Sequence, residues 1–195
     1  MIKLGSKVHD LGKALMTPIS VIAAAGIFLG LAAALQNPAV TGEAFTQMKT
    51  LQLVIGFIRQ VSGALFANLP LFFAVATAMG LANAEKATAA FSAVIGFVGL
   101  HVGVNYSLLA QGITPETITV AKLTAKGMTE SDAMIYAAEF TNTLGIFTYN
   151  MSVLGGVLVG LITMWLHNRF YTIVLPTAVA FFGGRRFVPI ITILV

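Results

Sequence analysis

The sequence predicts an all-α integral membrane protein with four full transmembrane helices, an interfacial segment and the start of a fifth helix. Two observations predict this fold class. Hydrophobic residues make up 57% of the 195 residues and charged residues 9%, whereas about a quarter of an ordinary soluble domain is charged. Four windows, residues 14–35, 61–82, 87–109 and 144–166, contain no charged side chain, and about 20 apolar residues cross the hydrocarbon core as a helix.

The first window follows the short basic tail "MIKLGSKVHDLGKALM". The tail is mildly amphipathic, and we expect it to lie at the membrane interface. Pro18 falls in the first turns of the window, where a missing amide is tolerated. The helix is predicted to end at "LQNP", because Asn37 and Pro38 favour a break.

The second window carries Asn68 and Pro70 near its middle, which predicts a kink. The apolar stretch "LQLVIGF" before it is either an interfacial lead-in or the start of a longer tilted helix. The "NAEK" turn after it is so short that the second and third helices must run antiparallel.

Residues 111–143 form the longest polar part of the chain and are predicted to be an extracytoplasmic loop with one or two short helices. Thr114 with Pro115 is one plausible helix start, and Thr129 with Asp132 is another. The fourth window follows directly, so we expect the fourth helix to begin at Leu144.

Residues 167–186 are predicted to be an interfacial or cytoplasmic segment. Its apolar stretch, residues 172–182, is interrupted by Pro176 and is too short to span. Phe187 is predicted to begin the fifth helix, whose nine residues reach about 13 Å.

The charged residues orient the helices rather than bind nucleic acid, because the 11 Lys and Arg are spread along the chain. The tail, the short turn and residues 167–186 hold seven of them, and the two longer loops hold four. The positive-inside tendency therefore predicts a cytoplasmic amino terminus. The sequence contains no cysteine, which excludes a disulfide scaffold, a thiol nucleophile and a phosphocysteine among these residues.

Small and polar residues within the windows are candidates for helix packing. Glycines recur at a spacing of four residues in Gly26/Gly30, Gly99/Gly103 and Gly156/Gly160. Packing within the chain is the favoured interpretation, chance spacing and a dimer contact being the alternatives.

Polar residues inside a membrane are candidates for function. His101 and Asn105 share a face of the third helix, and the favoured interpretation is a neutral histidine hydrogen-bonded to a neighbouring helix. Asn68, Thr148 and Asn150 are interpreted as interhelical hydrogen-bond donors rather than sugar ligands. A metal site would need more nitrogen or carboxylate ligands, so we expect no metal and no cofactor.

Several strings carry a family resemblance. "FFGGRRFVPII" (residues 181–191) is similar to the signature of the membrane component IIC of the bacterial phosphoenolpyruvate-dependent sugar phosphotransferase system, in its glucose, maltose and N-acetylglucosamine superfamily. "LGKALMTPISVIAAAGIFLG", "ALFANLPLFFAVATAMGLA", "AAFSAVIGFVGL" and "LGGVLVGLITMWLHNRFYTIVLP" agree in order and spacing. The long excursion of residues 111–143 favours the glucose and maltose branch.

The resemblance implies a group translocator of the bacterial cytoplasmic membrane. In such proteins a phosphocysteine on a IIB domain, charged through IIA, phosphorylates the sugar in IIC. The amino-terminal half supplies five helices and most of a homodimer interface, and the carboxy-terminal half carries the sugar site. The hallmarks of that site, "GLHH"-like and "TEP-EF"-like segments, do not occur among these residues.

We therefore interpret residues 1–195 as the amino-terminal, scaffolding half of a IIC domain, cut inside its fifth helix and inactive alone. No catalytic residue is assigned, and the substrate-binding residues stay unknown, so whether the chain acts as part of an enzyme is left open. The signature residues are taken as structural: Gly183, Gly184, Arg185, Arg186, Phe187 and Pro189. The arginines are interpreted as a charge anchor, with a contact to IIB as the alternative. An alternative function is a stand-alone membrane protein that pairs with and modulates full-length IIC.

Overall fold

The computed structural model describes residues 2–195, except for the side chains of residues 2–4, 6 and 7. The helices are α1 (Ile2–Leu35), α2 (Pro38–Thr41), α3 (Glu43–Thr46), α4 (Lys49–Ala67), α5 (Leu69–Leu81), α6 (Lys86–Ala110), α7 (Val120–Ala125), α8 (Glu130–Ala138), α9 (Ser152–Phe170) and α10 (Phe187–Ile193). A two-stranded antiparallel hairpin, β1 (Phe140–Thr143) and β2 (Ile146–Tyr149), precedes α9. Two 3-10 turns, Thr177–Phe182 and Gly184–Arg186, precede α10.

The predicted all-α membrane class is confirmed. Four helices are long and apolar enough to cross a membrane, namely Val8–Leu35 within α1, and α4, α6 and α9. Their outward faces carry large apolar side chains such as Phe28, Phe57 and Leu154, each more than half exposed. Such faces are typical of helices that meet lipid.

The amino-terminal tail belongs to α1, which runs without a break from Ile2 to Leu35. Pro18 lies within this helix, beyond its first turns, so the expectation that a separate tail precedes the first helix was wrong. The buried residues of α1, Pro18, Ala25 and Ala32, recur every seven positions and form one seam. A seven-residue repeat keeps one face of a helix against its neighbours.

The helices α4 and α5 lie end to end along that seam and run antiparallel to α1. Arg59 donates a hydrogen bond to Gln36 Oε1 (2.9 Å) at one end. At the other end Gly80 lies directly against Ala14.

The predicted single helix over residues 61–82 was wrong in its bounds, because the chain breaks at Asn68. The helix α4 includes the "LQLVIGF" stretch and ends at Ala67, and α5 begins at Leu69. Pro70 in the first turn of α5 lacks an amide hydrogen, so an unbroken helix would lose a backbone hydrogen bond there. The Asn68 side chain instead donates to Ala64 O (2.8 Å), within the helix that it ends.

The helix α5 is the centre of the bundle and packs against α1, α6 and α9. Small side chains fill this interface: Ala74 and Ala78 are fully buried. A Cβ on Gly156 would overlap the Pro70 carbonyl, and one on Gly160 would lie 2.6 Å from Ala74 O. The backbones of α5 and α9 therefore approach as closely as glycine permits.

The three glycine pairs differ in their surroundings. Gly156 and Gly160 pack within the chain as predicted, and a methyl group on Gly26 would lie 3.5 Å from the ring of Phe66. A methyl group on Gly30, Gly99 or Gly103 would meet no neighbouring atom within 4 Å. Packing within the chain thus explains both members of the Gly156/Gly160 pair and only Gly26 of the Gly26/Gly30 pair.

The loop of residues 111–143 is only partly as expected. The Thr129 cap is confirmed, since Thr129 Oγ1 accepts from Asp132 N (3.2 Å) at the start of α8. No helix begins at Thr114; α7 begins at Val120, after Thr119.

The expectation that the fourth helix begins at Leu144 was wrong. Leu144 and Gly145 are the two turn residues of the hairpin, with φ of 53° and 81°. Positive φ at both central residues is typical of a two-residue hairpin turn of type I′. The helix α9 begins eight residues later, at Ser152.

We expect Gly156→Ala to destabilise the protein by about 1–3 kcal/mol, because the new methyl group overlaps backbone that has to move. Thermal unfolding in detergent, followed by circular dichroism, measures the effect. Gly30→Ala is the matched control, since Gly30 is also in a long helix and has open space around it. There the higher helix propensity of alanine is expected to be neutral or stabilising. Equal stability of the two variants would contradict the close approach.

Candidate functional site

The signature segment, residues 183–189, forms a turn that directs the chain from the end of α9 into α10. Gly184 N donates to Ile173 O (2.7 Å), so the chain folds back on the stretch that follows α9. Gly184 has φ of 63°, a conformation that favours glycine. Phe187 then begins α10, as predicted, and its ring meets that of Phe170 edge to face at 5.9 Å.

Arg185 joins this turn to the connection between α5 and α6. Its Nη1 lies 3.0 Å from Glu85 Oε2. Glu85 itself has φ of 48°, in the left-handed region, directly before α6. The two side chains are 64% and 42% exposed, so solvent screens the pair and it contributes at most about 1 kcal/mol.

The last turn of α9 binds the same connection through neutral groups. Asn168 Oδ1 accepts from Asn83 N (2.8 Å) and its Nδ2 donates to Leu81 O (3.1 Å). His167 is fully buried, and its Nε2 lies 2.8 Å from Ala84 O. A carbonyl oxygen only accepts, so Nε2 carries the proton.

We call this set the corner clamp: Asn83, Glu85, His167, Asn168 and Arg185. It fixes the α5–α6 turn, the end of α9 and the signature turn to one another. Sequence reasoning had not assigned a role to His167 or Asn168, although both belong to the "LHNRFY" string. The one signal for them was that they are polar residues at the end of an apolar helix; the carbonyls that they bond, Leu81 O and Ala84 O, lie at and after the end of α5, where a helix leaves its carbonyls unpaired.

Arg186 turns back on its own segment rather than toward the clamp. Its Nη1 donates to Phe181 O (3.2 Å), and its guanidinium lies 4.6 Å from the centre of the Phe181 ring. The two arginines of the signature therefore have different partners, and both also remain exposed at the surface.

A second polar cluster lies inside the bundle around His101, which is 2% exposed. His101 Nδ1 and Thr148 Oγ1 are 3.0 Å apart, and Asn105 Nδ2 donates to Phe147 O (2.7 Å). The expected partner of His101 was a neighbouring helix, and that was wrong: both contacts reach strand β2. The hairpin had no counterpart in the prediction, because its strands are short and join an apolar run.

The other polar residues singled out in the spans also differ from expectation. Asn68 bonds within its own helix, and Asn150 Oδ1 accepts from Ser152 N (3.3 Å) at the start of α9. Neither makes an interhelical hydrogen bond from its side chain among the described residues. Thr148 does make a long-range contact, but from a strand.

His101 faces a cavity of about 40 Å³, which we call the His101 pocket. Breaks in three parts of the chain meet at it: Pro70 after the α4–α5 break, Thr143 at the end of β1, and Ser152 at the start of α9. Irregular backbone at membrane depth is tolerated where it is buried in protein or lines a polar cavity. The pocket is the size of one or two water molecules, and its lining holds no carboxylate.

Neither cluster has the arrangement of a catalytic centre. The corner clamp joins backbone segments, and the His101 pocket offers one imidazole with hydroxyls and amides around it. The described parts of α4, α5, α6 and α9 carry no acidic side chain. Both arrangements position helices.

Comparison with known proteins assigns the chain to a family. The model of the phosphotransferase system EIIC family matches residues 12–195. The chain belongs to this family. The match includes the signature turn, the helices α4, α6 and α9, and α1 from residue 12 onward.

Two curated relatives agree with this assignment. The maltose-specific EIICB component of Escherichia coli (strain K12) is 35% identical over 188 residues, which are 96% of this chain and 33% of the relative. The glucose-specific EIICBA component of Staphylococcus carnosus (strain TM300) is 35% identical over 189 residues, 96% of this chain and 25% of the relative. The chain thus spans a third or less of these relatives.

We expect Asn168→Leu to weaken the corner clamp more than Arg185→Gln does. The asparagine bonds two backbone groups, and its bond to Leu81 O is partly buried. Leaving that carbonyl unpaired costs about 1–3 kcal/mol. The exposed ion pair contributes less. Chemical or thermal unfolding of both variants in the same detergent measures the order, and a larger loss for Arg185→Gln would contradict it.

We expect the His101–Thr148 contact to show coupling in a double-mutant cycle. Thr148→Val leaves a buried ring nitrogen without a partner and is expected to lower stability by about 1–3 kcal/mol. In a His101→Phe background the same change is expected to have a smaller effect. Thr124→Val is the control, because that hydroxyl bonds only to carbonyls of its own helix, α7. Additive effects of the two changes would rule out the contact.

Proposed function

We propose that this chain serves sugar uptake by the phosphoenolpyruvate-dependent phosphotransferase system, as the scaffold part of a glucose- or maltose-type EIIC. The observation that carries the proposal is the family match across residues 12–195, together with 35% identity to one maltose-specific and one glucose-specific component. In this reaction the sugar crosses the membrane and is released as a sugar phosphate.

The proposal includes partners. The names of the relatives, EIICB and EIICBA, combine the C component with B, or with B and A, components. We infer that IIB and IIA domains act with this chain, and that the surface carrying Arg185 and Arg186 faces the cytoplasm with the amino terminus. The family resemblance further favours a homodimer in the bacterial cytoplasmic membrane.

The proposal assigns the sugar site to parts of an EIIC outside residues 1–195. The helices α4, α5, α6 and α9 carry no acidic side chain, and the His101 pocket, at about 40 Å³, is far smaller than a sugar. The matched region covers 33% and 25% of the two relatives. We therefore expect residues 1–195 alone to bind and phosphorylate no sugar.

A second candidate function is that of a membrane interaction protein that pairs with an intact EIIC. A groove of about 400 Å³ between α1 and α4 favours it. Apolar side chains line this groove, among them Val21, Phe28 and Phe57, and all three are exposed. Such a face is suited to another membrane helix.

The test is phosphoenolpyruvate-dependent phosphorylation of labelled glucose and maltose in a bacterial strain without its own glucose and maltose EIIC components. The chain is expressed alone, or with the rest of the maltose-specific relative as a separate polypeptide. We expect sugar phosphate only when both polypeptides are present. The chain with Gly156→Leu is expected to fail as a partner, and the chain with Gly30→Ala to succeed.

Sugar phosphate formed by the chain alone would contradict the scaffold proposal. Two inserted, associated polypeptides that form none would count against it as well. Reduced uptake by an intact EIIC that co-purifies with the chain would favour the second candidate.

A further inference from the structure

The His101 pocket lies at membrane depth. His101 is fifteen residues from Lys86, the first residue of α6, and therefore about 22 Å from that charged end. From the opposite side, Asn68 is nine residues from Arg59, or about 14 Å along α4. Because the hydrocarbon core is about 30 Å thick, the pocket lies within it, in the half nearer the hairpin.

Polar groups around this pocket lack partners. His101 is 2% exposed and lines the pocket, and its Nε2 has no hydrogen-bond partner among residues 2–195. Asn68 lies between the lining residues Ala67 and Pro70, and its buried Oδ1 is likewise unpaired within the described chain. No side chain that the structure describes caps the first amide groups of α9. An unpaired polar group in hydrocarbon is unfavourable, so these groups need a polar ligand.

The outer edge of β1 adds backbone groups to this set. Asn150 N donates to Glu139 O (2.7 Å), and bonded pairs alternate along an antiparallel ladder, so the backbone N–H and C=O of Asn142 are directed away from β2. Phe147, opposite Asn142, has the same outward direction, and its carbonyl accepts from Asn105 Nδ2. Asn142 is exposed, and its outward groups have no such partner in the described part of the chain. An open sheet edge is not tolerated against lipid.

The mouth of the pocket is polar as well. Asn150 and Ser152, which we call the pocket mouth, line the cavity and are exposed. Thr141 and Thr143, which share one face of β1, also line it. A volume of about 40 Å³ holds one or two water molecules. Water both donates and accepts, so it suits the imidazole nitrogen in either tautomer.

We propose that the His101 pocket is a hydration site, continuous with the aqueous phase on the side of the membrane where residues 111–143 lie. One or two water molecules bind His101 Nε2 and the hydroxyl groups of Thr141 and Thr143. The pocket mouth and the outer edge of β1 then face water instead of lipid. A lipid acyl chain, which offers no hydrogen bond, and an extended protein segment paired with β1 are the competing occupants of this surface.

Cysteine labelling tests the contact with water, and the chain has no cysteine of its own. The single variants Ser152→Cys, at the pocket mouth, and Asn142→Cys, at the edge of β1, are treated in sealed membranes with a charged maleimide that does not cross lipid. We expect both to react at least about ten times faster than Leu154→Cys, because the reactive thiolate forms where water stabilises its charge. Labelling after denaturation gives the full signal for each variant.

Leu154→Cys is a matched control. Leu154 is two residues from Ser152 on α9 and therefore at nearly the same depth, but on another face of the helix. It is 75% exposed, so a slow reaction there reports lipid rather than burial in the protein.

The side of entry is tested with the same variants. Lys126→Cys, at an exposed position of the loop, marks the side of residues 111–143, and Lys86→Cys, exposed at the start of α6, marks the opposite side. We expect Asn142→Cys and Ser152→Cys to react with reagent added on the side that labels Lys126→Cys.

Nuclear magnetic resonance tests the interior of the pocket. In protein with isotope-labelled histidine, we expect magnetisation transfer from water to the ring of His101, assigned by its loss in His101→Phe. Thr143→Ile is expected to remove this transfer, because the larger side chain occupies a cavity of about 40 Å³. Thr124→Ile is the control, since Thr124 belongs to α7 and does not line the pocket.

The proposal is overturned if Asn142→Cys and Ser152→Cys react no faster than Leu154→Cys, or if they react from the side that labels Lys86→Cys. Fast reaction with an uncharged maleimide alone would assign the surface to lipid, and slow reaction with both reagents would assign it to a protein segment. Absence of magnetisation transfer to His101 would overturn the hydrated pocket. None of these measurements depends on sugar uptake, so the proposed function can hold where this proposal fails.

Discussion

Direct contact between the backbones of α5 and α9 is the constraint on which the rest of this bundle depends. Gly156 and Gly160 leave room for the Pro70 and Ala74 carbonyls, and no larger side chain fits there. Lipid tails are as apolar as the side chains, so moving an apolar side chain from lipid into a helix interface gains little free energy. Close van der Waals packing therefore supplies most of the energy of helix association. The alanines of α5 serve that packing, and α1 and α6 then lie on either side of the pair.

The break at Asn68 belongs to the same arrangement. The Pro70 carbonyl, in the first turn of α5, lies directly against Gly156 of α9. The α4–α5 break, the end of the hairpin and the start of α9 all meet at the His101 pocket. The irregular backbone segments thus lie together at one buried site, where hydroxyl, amide and imidazole groups are available as hydrogen-bond partners.

The sequence predicted the parts of this fold that follow from the length of its apolar segments and from residues that favour turns or helix ends. Four long apolar helices, the short α5–α6 turn, the Thr129 cap and the start of α10 at Phe187 were all expected. The hairpin was missed because Leu144 and Ile146 extend the apolar run of α9, and only Gly145 signalled a turn. The break at Asn68 was expected as a kink, since proline predicts a disturbed helix without fixing how far the two parts separate. The corner clamp depends on contacts between residues some 85 positions apart. Sequence periodicity and local motifs do not predict contacts over such a distance along the chain.

The unbroken helix α1 has a mechanical consequence. Its 34 residues extend about 51 Å, whereas the hydrocarbon core measures about 30 Å. A rod of that length either leans strongly or stands several turns above the lipid headgroups. Because the helix is continuous, the turns outside the hydrocarbon core and the buried residues Ala25 and Ala32 belong to one element, so the tilt of one end is also the tilt of the other.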